Sequence, residues 1–182
     1  MAAATWIAVI GSGLLCACSS QAVIPDAQTL DAETGTTVIR MPRPVELITE
    51  KPRGAQADPF AYLAPFETNR MGERTLFLWV SAPQDVGATL KQPQVYCDGQ
   101  PVALIPHTEP LDRIGLSSPP YPGPAPWSAQ WYFRLPEDSL RCLMSAQRLT
   151  VETQAAESTA ERFSAEAPGL AGLAVFAGQV AH

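Results

Sequence analysis

Proline is the residue type that most limits what this chain can fold into. Eighteen of the 182 residues are proline, about twice the average share. Because proline has no backbone N–H and fixes its own φ angle, it favours loops, edge strands and extended connections over long helices. With 46% apolar and only 16% charged residues, the chain can still bury a core. We therefore expect a folded domain built mainly from short strands.

The segment Arg74 to Ala82, RTLFLWVSA, has the strongest strand pattern in the chain. Its apolar side chains alternate onto both faces, which predicts a central strand covered on two sides. The dipeptide Asp98-Gly99 lies between two β-type runs and predicts a two-residue hairpin turn that places Val95 opposite Val102. Further strands are predicted over 128–135 and 148–153.

Two helices are predicted late in the chain. The sequence Pro136-Glu137-Asp138 is typical of a helix start, because proline suits the first turn and acidic side chains suit the positive end of the helix dipole. Ser164 is a candidate N-cap for a last helix over 167–181. The apolar face predicted for that helix consists of Leu170, Leu173, Ala177 and Val180. At about fourteen residues this tail is short for a membrane span, so we expect it to dock on the domain.

The first residues form an apolar run without charge. From Ala2 to Ala17 the chain has no Lys, Arg, Asp or Glu. The run is shorter than the ~20 apolar residues that a transmembrane helix needs, and it is typical of a cleaved secretory leader. No basic residue precedes it, so only the amino terminus supplies positive charge. An ordinary secretory leader and an uncleaved membrane anchor are both compatible with this run.

The end of the run, LLCACSS, resembles the lipobox of bacterial lipoproteins. Leu15 stands three residues before Cys18 and Ala17 immediately before it, whereas Cys16 follows a leucine where a small residue is wanted. The resemblance implies a diacylglyceryl thioether on Cys18, cleavage before this residue and acylation of the freed amine. Several acyl chains together give stable membrane anchoring. Ser19 after the cysteine implies the outer membrane, by the sorting rule of enterobacterial lipoproteins.

The predicted organisation has three parts. They are a signal peptide over 1–17, a lipid anchor and flexible tether with a possible first strand over 18–58, and a β-rich globular domain over 59–182. The tether is expected because QAVIPDAQTLDAETGTT is polar, acidic and without period. The fold class expected for the domain is mainly β: a small β-sandwich-like domain with one short internal helix and a C-terminal helix.

Cys97 and Cys142 are the cysteines that remain after the leader. If the chain is exported, they form an even pair in an oxidising compartment, which favours a structural disulfide. Such a bridge would close a loop and lower the conformational entropy of the unfolded chain. By this effect it would stabilise the fold by roughly 4 kcal/mol. The alternatives are two buried thiols or a reactive cysteine, although neither residue has a nearby cation that would favour a thiolate.

Residues that commonly carry catalysis or bind metals are sparse. Of the two histidines, His107 lies in a turn-like stretch and His182 is the final residue. His107 and Glu109 could both ligate a metal, but a zinc site needs three or four protein ligands. No nucleophile elbow, phosphate-binding glycine loop or dinucleotide fingerprint occurs in the sequence. We therefore expect no catalytic residue, no metal and no cofactor.

The proline-rich segment Ser117 to Trp127 is the candidate interaction surface. Five of its eleven residues are proline, which makes the segment stiff and extended. Aromatic side chains on such a segment lose little entropy on binding, so Tyr121 and Trp127 are the candidate contact residues. The alternative is that the segment is a stiff connection between strands, and that its aromatic rings cover the core.

Charge and composition also bear on the class of partner. The net charge is −6 and no basic cluster occurs, so we expect no nucleic-acid binding, which needs a concentrated basic patch.

We expect a non-enzymatic accessory or scaffold on the periplasmic side of the outer membrane, held by its lipid anchor and bound to another envelope protein. The alternative is a periplasmic binding or inhibitor module for a small ligand, glycan or protein. A pocket lined by Trp79, Trp131 or Tyr132 would favour that alternative, and a hydrolase would need partners around His107.

Overall fold

Antiparallel strands form most of the structure, and two α-helices pack against the sheet that they make. The structure is a computed structural model and describes residues 28–51, 60–84, 90–154 and 160–180. The strands are β1 (Gln28–Asp31), β2 (Thr36–Arg40), β3 (Val45–Thr49), β4 (Phe60–Arg70), β5 (Glu73–Pro83), β6 (Gln94–Cys97), β7 (Gln100–Pro101), β8 (Ile105–His107), β9 (Ser128–Arg134), β10 (Arg148–Thr153) and β11 (Glu161–Glu166). The helices are α1 (Glu137–Ser145) and α2 (Ala171–Val180), with 3-10 turns at Leu111–Ile114 and Ala167–Leu170.

The predicted fold class is confirmed. Strands make up 48% of the structure, with one short internal helix, α1, and a C-terminal helix, α2. The strands form one curled antiparallel sheet in the order β7-β6-β10-β11-β3-β4-β5-β9-β8. β1 and β2 lie off this path, because β1 pairs with β2 and β2 pairs with β4. The curl lets strands far apart in the sheet, such as β6 and β9, contribute Val95 and Phe133 to the same core.

The long strand β4 has a proline in its middle. One side of β4 pairs with β3 over 60–63 and with β2 over 66–69. Pro65 falls in the gap between these two partners, where its missing N–H breaks no ladder bond. The sequence did not predict this strand, because a proline inside an apolar run normally indicates an edge or a loop.

The region 28–49 contains three strands of the sheet, β1 to β3, whereas the sequence predicted a flexible tether with one possible strand over 18–58. β3 lies in the interior of the sheet between β4 and β11, and Val38, Val45 and Leu47 are buried. The sequence of β1 is as polar as a linker, although β1 is a strand. β1 pairs only with β2 and its side chains are mostly exposed, so it needs no apolar pattern.

The two helices cover the inner face of the curled sheet. α1 buries Ser139, Leu140 and Leu143. The apolar face predicted for the last helix is confirmed, and all its residues join the buried side: Leu170, Leu173, Ala177 and Val180. The predicted N-cap is wrong, because Ser164 lies in β11 and pairs with Thr150 of β10. Within the described ranges, no helix is both long and apolar enough to cross a membrane.

The outer face of the sheet is covered by the segment that connects β8 to β9. Leu116 and Tyr121 of this segment pack on the ring side chains of Phe66, Phe77 and Trp79. Since the alternate residues of β5 belong to the inner core, the prediction of a central strand covered on two sides is confirmed. The predicted hairpin is also confirmed: Asp98 and Gly99 have φ angles of 49° and 82°, and the N–H of Val102 donates to the carbonyl of Val95 at 2.8 Å.

Candidate functional site

Tyr121 is buried against the outer face of the sheet, which corrects its assignment to an interaction surface. Its side chain is only 3% exposed. The hydroxyl accepts a hydrogen bond from the N–H of Met41 and donates one to the carbonyl of Pro65, both at 3.0 Å. The ring packs on Trp79 with centroids 5.0 Å apart. Burial raises the pKa of Tyr121, so the phenol stays protonated and able to donate to Pro65.

Further contacts fix the first half of the proline-rich segment. The carboxylate of Asp31 accepts hydrogen bonds from the N–H and the hydroxyl of Ser117, at 2.6 and 2.9 Å. The guanidinium of Arg40 donates to the carbonyl of Pro120. The bond from the Ser117 N–H is the main cause of a lowered pKa at Asp31. The stretch from Ser117 to Tyr121 is therefore held in place by β1, β2 and β4.

Trp127 lies at the other end of the segment, and its side chain is 62% exposed. Its backbone is not free, because the N–H of Gln84 donates to the Trp127 carbonyl at 3.2 Å. The N–H of Ser128 donates to the carbonyl of Ala125 at 3.0 Å, which closes a turn just before β9. Of the two predicted contact residues, Trp127 alone projects into solvent.

Cys97 and Cys142 are brought together as the sequence predicted, but as thiols. Cys97 ends β6 and is buried, whereas Cys142 lies on α1 and is half-buried. The two side chains are neighbours in the inner core, and both thiols are free in this structure. Burial, and then the neighbouring Cys142, raises the pKa of Cys97. A thiol with a raised pKa is a poor nucleophile, which argues against a reactive cysteine. The disulfide stays a prediction.

Cys18 and His107 are the other two positions that the sequence singled out. Cys18, the predicted lipidation site, lies outside the described residues. His107 lies on β8, at the edge of the sheet, where its ring meets Phe77 edge-on with centroids 5.9 Å apart. Within the described ranges, no group of three or more His, Cys, Asp and Glu side chains is placed to hold a metal ion.

The aromatic residues that could have lined a pocket are used in packing. Trp79 is buried, and its indole N–H donates to the side-chain oxygen of Gln130 at 2.9 Å. Trp131 packs against the inner core. Tyr132 meets Phe66 edge-on, and burial raises its pKa to about 12.

A cavity of about 390 Å³ lies beside His107 instead. Its charged lining residues are Arg70, Glu73, Arg113 and Arg134. Sequence reasoning missed this set, since the three arginines lie on β4, on a 3-10 turn and on β9. Their spacing along the chain carries no signal, and only the pairing of the strands brings them together.

Comparisons with protein-family models, with curated proteins and with solved structures found no match for this chain.

Proposed function

We propose that the mature chain is a lipid-anchored protein of the bacterial envelope, and that it acts as a non-enzymatic accessory or scaffold. In this proposal it binds another envelope protein through the surface around Trp127. The observation that carries the binding role is the 62% exposure of a tryptophan side chain on a fixed backbone. Tryptophan is highly buried on average, and it is enriched at the energetic centres of interfaces.

The fixed backbone supports the binding role. Ser117 and Tyr121 are hydrogen-bonded to the sheet at the start of the segment, and Trp127 is bonded at its end. Binding a partner would therefore order little more than the indole side chain. Because association is weakened by the entropy of whatever it must immobilise, a preorganised ring binds more tightly than the same ring on a free loop.

The position of β1 supports a location close to the membrane. β1, the first strand that the structure describes, starts at Gln28, ten residues after Cys18. A fully extended chain of that length reaches about 35 Å at most. With acyl groups on Cys18, the domain would therefore stay within roughly one domain diameter of the leaflet, and its partner would have to lie there too.

The anchor is tested on the cysteines of the lipobox. The full-length chain is expressed in a bacterium with labelled fatty acid, as wild type, as Cys18→Ser and as Cys16→Ser. We expect label in the wild type and in Cys16→Ser, and none in Cys18→Ser, which should also leave the membrane fraction. Mass spectrometry of the mature amino terminus should find an acylated cysteine. Label that survives in Cys18→Ser, or an unmodified Cys18, would contradict the anchor.

The binding role is tested by cross-linking in intact cells. A photo-reactive residue replaces Trp127 in one variant and Met71 in a matched control, because Met71 is fully exposed at the tip of the β4–β5 hairpin. We expect one cross-linked envelope protein from position 127 and none from position 71. The same protein should co-purify with the wild type and with Met71→Ala, but not with Trp127→Ala. Equal recovery with all three chains would exclude Trp127 as the contact.

A further inference from the structure

The cavity beside His107 is built from well-separated parts of the fold. β4, β5, β8, β9 and the 3-10 turn Leu111–Ile114 all contribute to its lining. Strand pairing sets its floor, where Thr68 is paired with Thr75 and Phe77 is paired with Arg134. Because the walls come from hydrogen-bonded strands, the cavity is preformed, as small-molecule sites usually are.

Three arginines converge on this cavity. Arg70 ends β4, Arg113 lies in the 3-10 turn and Arg134 ends β9. Among the described residues, none of the three guanidinium groups has an ion-pair or hydrogen-bond partner. Glu73 is the one carboxylate among the lining residues, so the lining carries three positive charges and one negative charge.

Some arginines outside the cavity are paired with carboxylates. Four arginines elsewhere in the described ranges pair with carboxylates: Arg74, Arg141, Arg148 and Arg162. The chain as a whole has a net charge of −6, so carboxylates are available to pair with the remaining arginines. All three arginines are exposed, so water and salt screen the repulsion between them. Their combined positive charge favours an anion in the cavity.

His107, beside this cavity, has an unsatisfied polar atom in its ring. Its Nε2 atom is buried and has no hydrogen-bond partner among the described residues. His107 is also among the residues that line the cavity. Buried polar atoms in folded proteins nearly always have a partner, either from the protein or from something bound to it.

The lining also indicates the chemistry of a ligand. Guanidinium groups present paired N–H donors that match the oxygens of a phosphate or a carboxylate. Thr68 and Thr75 add hydroxyl groups, while Phe77, Ile105 and Ile114 add apolar surface. We propose that this cavity binds a small molecule of metabolite size that carries a multiply charged phosphate or carboxylate group.

This site is independent of the surface around Trp127. From Phe77, which lines the cavity, to Pro83, which ends β5 next to the Trp127 contact, the strand runs about 20 Å. A variant of either site should therefore leave the other intact, and failure of one proposal does not entail failure of the other.

The test measures the affinity of the purified full-length mature protein in neutral detergent by calorimetry. The probes are inorganic pyrophosphate, citrate and monomeric dihexanoyl phosphatidic acid, which represent a free phosphate, a carboxylate and a lipid headgroup with a phosphate monoester. We expect saturable binding of at least one probe and a rise in the melting temperature with its concentration. The probe that binds most tightly identifies the source of the anion.

Charge variants decide whether the binding uses this cavity. Arg113→Gln and Arg134→Gln should each weaken the best probe by about tenfold or more, because each removes a charge-assisted pair. Arg43→Gln is the matched control, since Arg43 is exposed and does not line the cavity. It should change the affinity by less than about twofold. Circular dichroism checks that each variant is folded.

Three results would overturn the proposal. The first is that none of the probes binds the wild type. The second is that the control variant loses as much affinity as the cavity variants. The third is that both cavity variants, shown to be folded, bind as tightly as the wild type. Trp127→Ala should bind the probe like the wild type.

Discussion

At the scale of single residues, Tyr121 supplies the hydrogen bonds that are missing where β4 passes from one partner strand, β2, to the other, β3. The register that pairs Arg40 with Phe66 would place Met41 opposite Pro65, but the chain turns away there toward β3. The Met41 N–H and the Pro65 carbonyl therefore do not bond to each other. The Tyr121 hydroxyl bonds to both and bridges them. One side chain from 56 residues further along the chain therefore completes the hydrogen bonding of β4.

Tyr121→Phe keeps the ring and removes this bridge. We expect the free energy of unfolding to fall by about 2–3 kcal/mol, because two buried backbone groups lose their partner. Urea denaturation followed by tryptophan fluorescence measures the change. Tyr96→Phe is the control, since the Tyr96 hydroxyl is exposed and bonds to the Gln94 side chain, and it should change stability little. Equal stability of the wild type and Tyr121→Phe would show that the bridge contributes nothing.

At the scale of elements, one ion pair ties the last helix to the sheet. Arg74 of β5 donates to both carboxylate oxygens of Glu67 on β4, at 2.9 and 2.8 Å, and to the carbonyl of Val180 at the end of α2, at 2.7 Å. The bond to Glu67 raises the pKa of Arg74. The Glu67 side chain is 3% exposed and that of Arg74 is 31% exposed. The pair thus buries one full charge and closes the end of the helix.

Arg74→Met leaves the carboxylate of Glu67 buried without its partner. We expect a loss of about 2–3 kcal/mol in the free energy of unfolding, below the value for a fully buried pair because Arg74 is partly solvated. Hydrogen exchange should also speed up at the end of α2. The double variant Arg74→Met/Glu67→Gln should recover part of the stability, since it removes the unpaired charge. A double variant less stable than Arg74→Met would argue against this account.

The cysteine pair links the hairpin β6–β7 to α1. With both thiols free, Cys97 should react slowly with iodoacetamide at neutral pH, because its raised pKa leaves little thiolate. Its rate should rise as the pH rises toward that pKa. In an oxidising compartment we expect the pair to close, with a gain of up to roughly 4 kcal/mol. Free-thiol counting on protein from the periplasm and melting with and without reductant test this, with Cys142→Ser as the control. Two free thiols in that protein would contradict the bridge.

At the scale of the whole molecule, the folded unit includes strands that precede residue 59, among them β2. β2 supplies the buried residues Thr36 and Val38, and the N–H of Met41 follows directly. We expect a chain that starts at residue 28 to unfold with the same free energy as the mature protein. A chain that starts at residue 41 should lose ~3 kcal/mol or more, because it loses a buried valine and a strand of the ladder. Denaturation of the two truncated chains distinguishes them, and equal stability would restore the predicted tether.

The sequence by itself determined the elements whose causes lie within about ten residues. The alternation in β5, the Asp98-Gly99 turn, the start of α1 after Pro136 and the apolar face of α2 all depend on local spacing, and all were predictable. The mainly β class followed from them and from the prolines.

Only the tertiary structure decided how distant segments meet. β4 escaped prediction because its proline is harmless only where two partner strands leave a gap. β1 escaped because an exposed edge strand needs no apolar pattern. Tyr121 is buried and Trp127 exposed although both lie in one proline-rich segment, and three arginines from distant positions share a cavity. Each of these outcomes depends on the register between strands, which is fixed by the packing of the whole sheet and leaves no trace in local spacing.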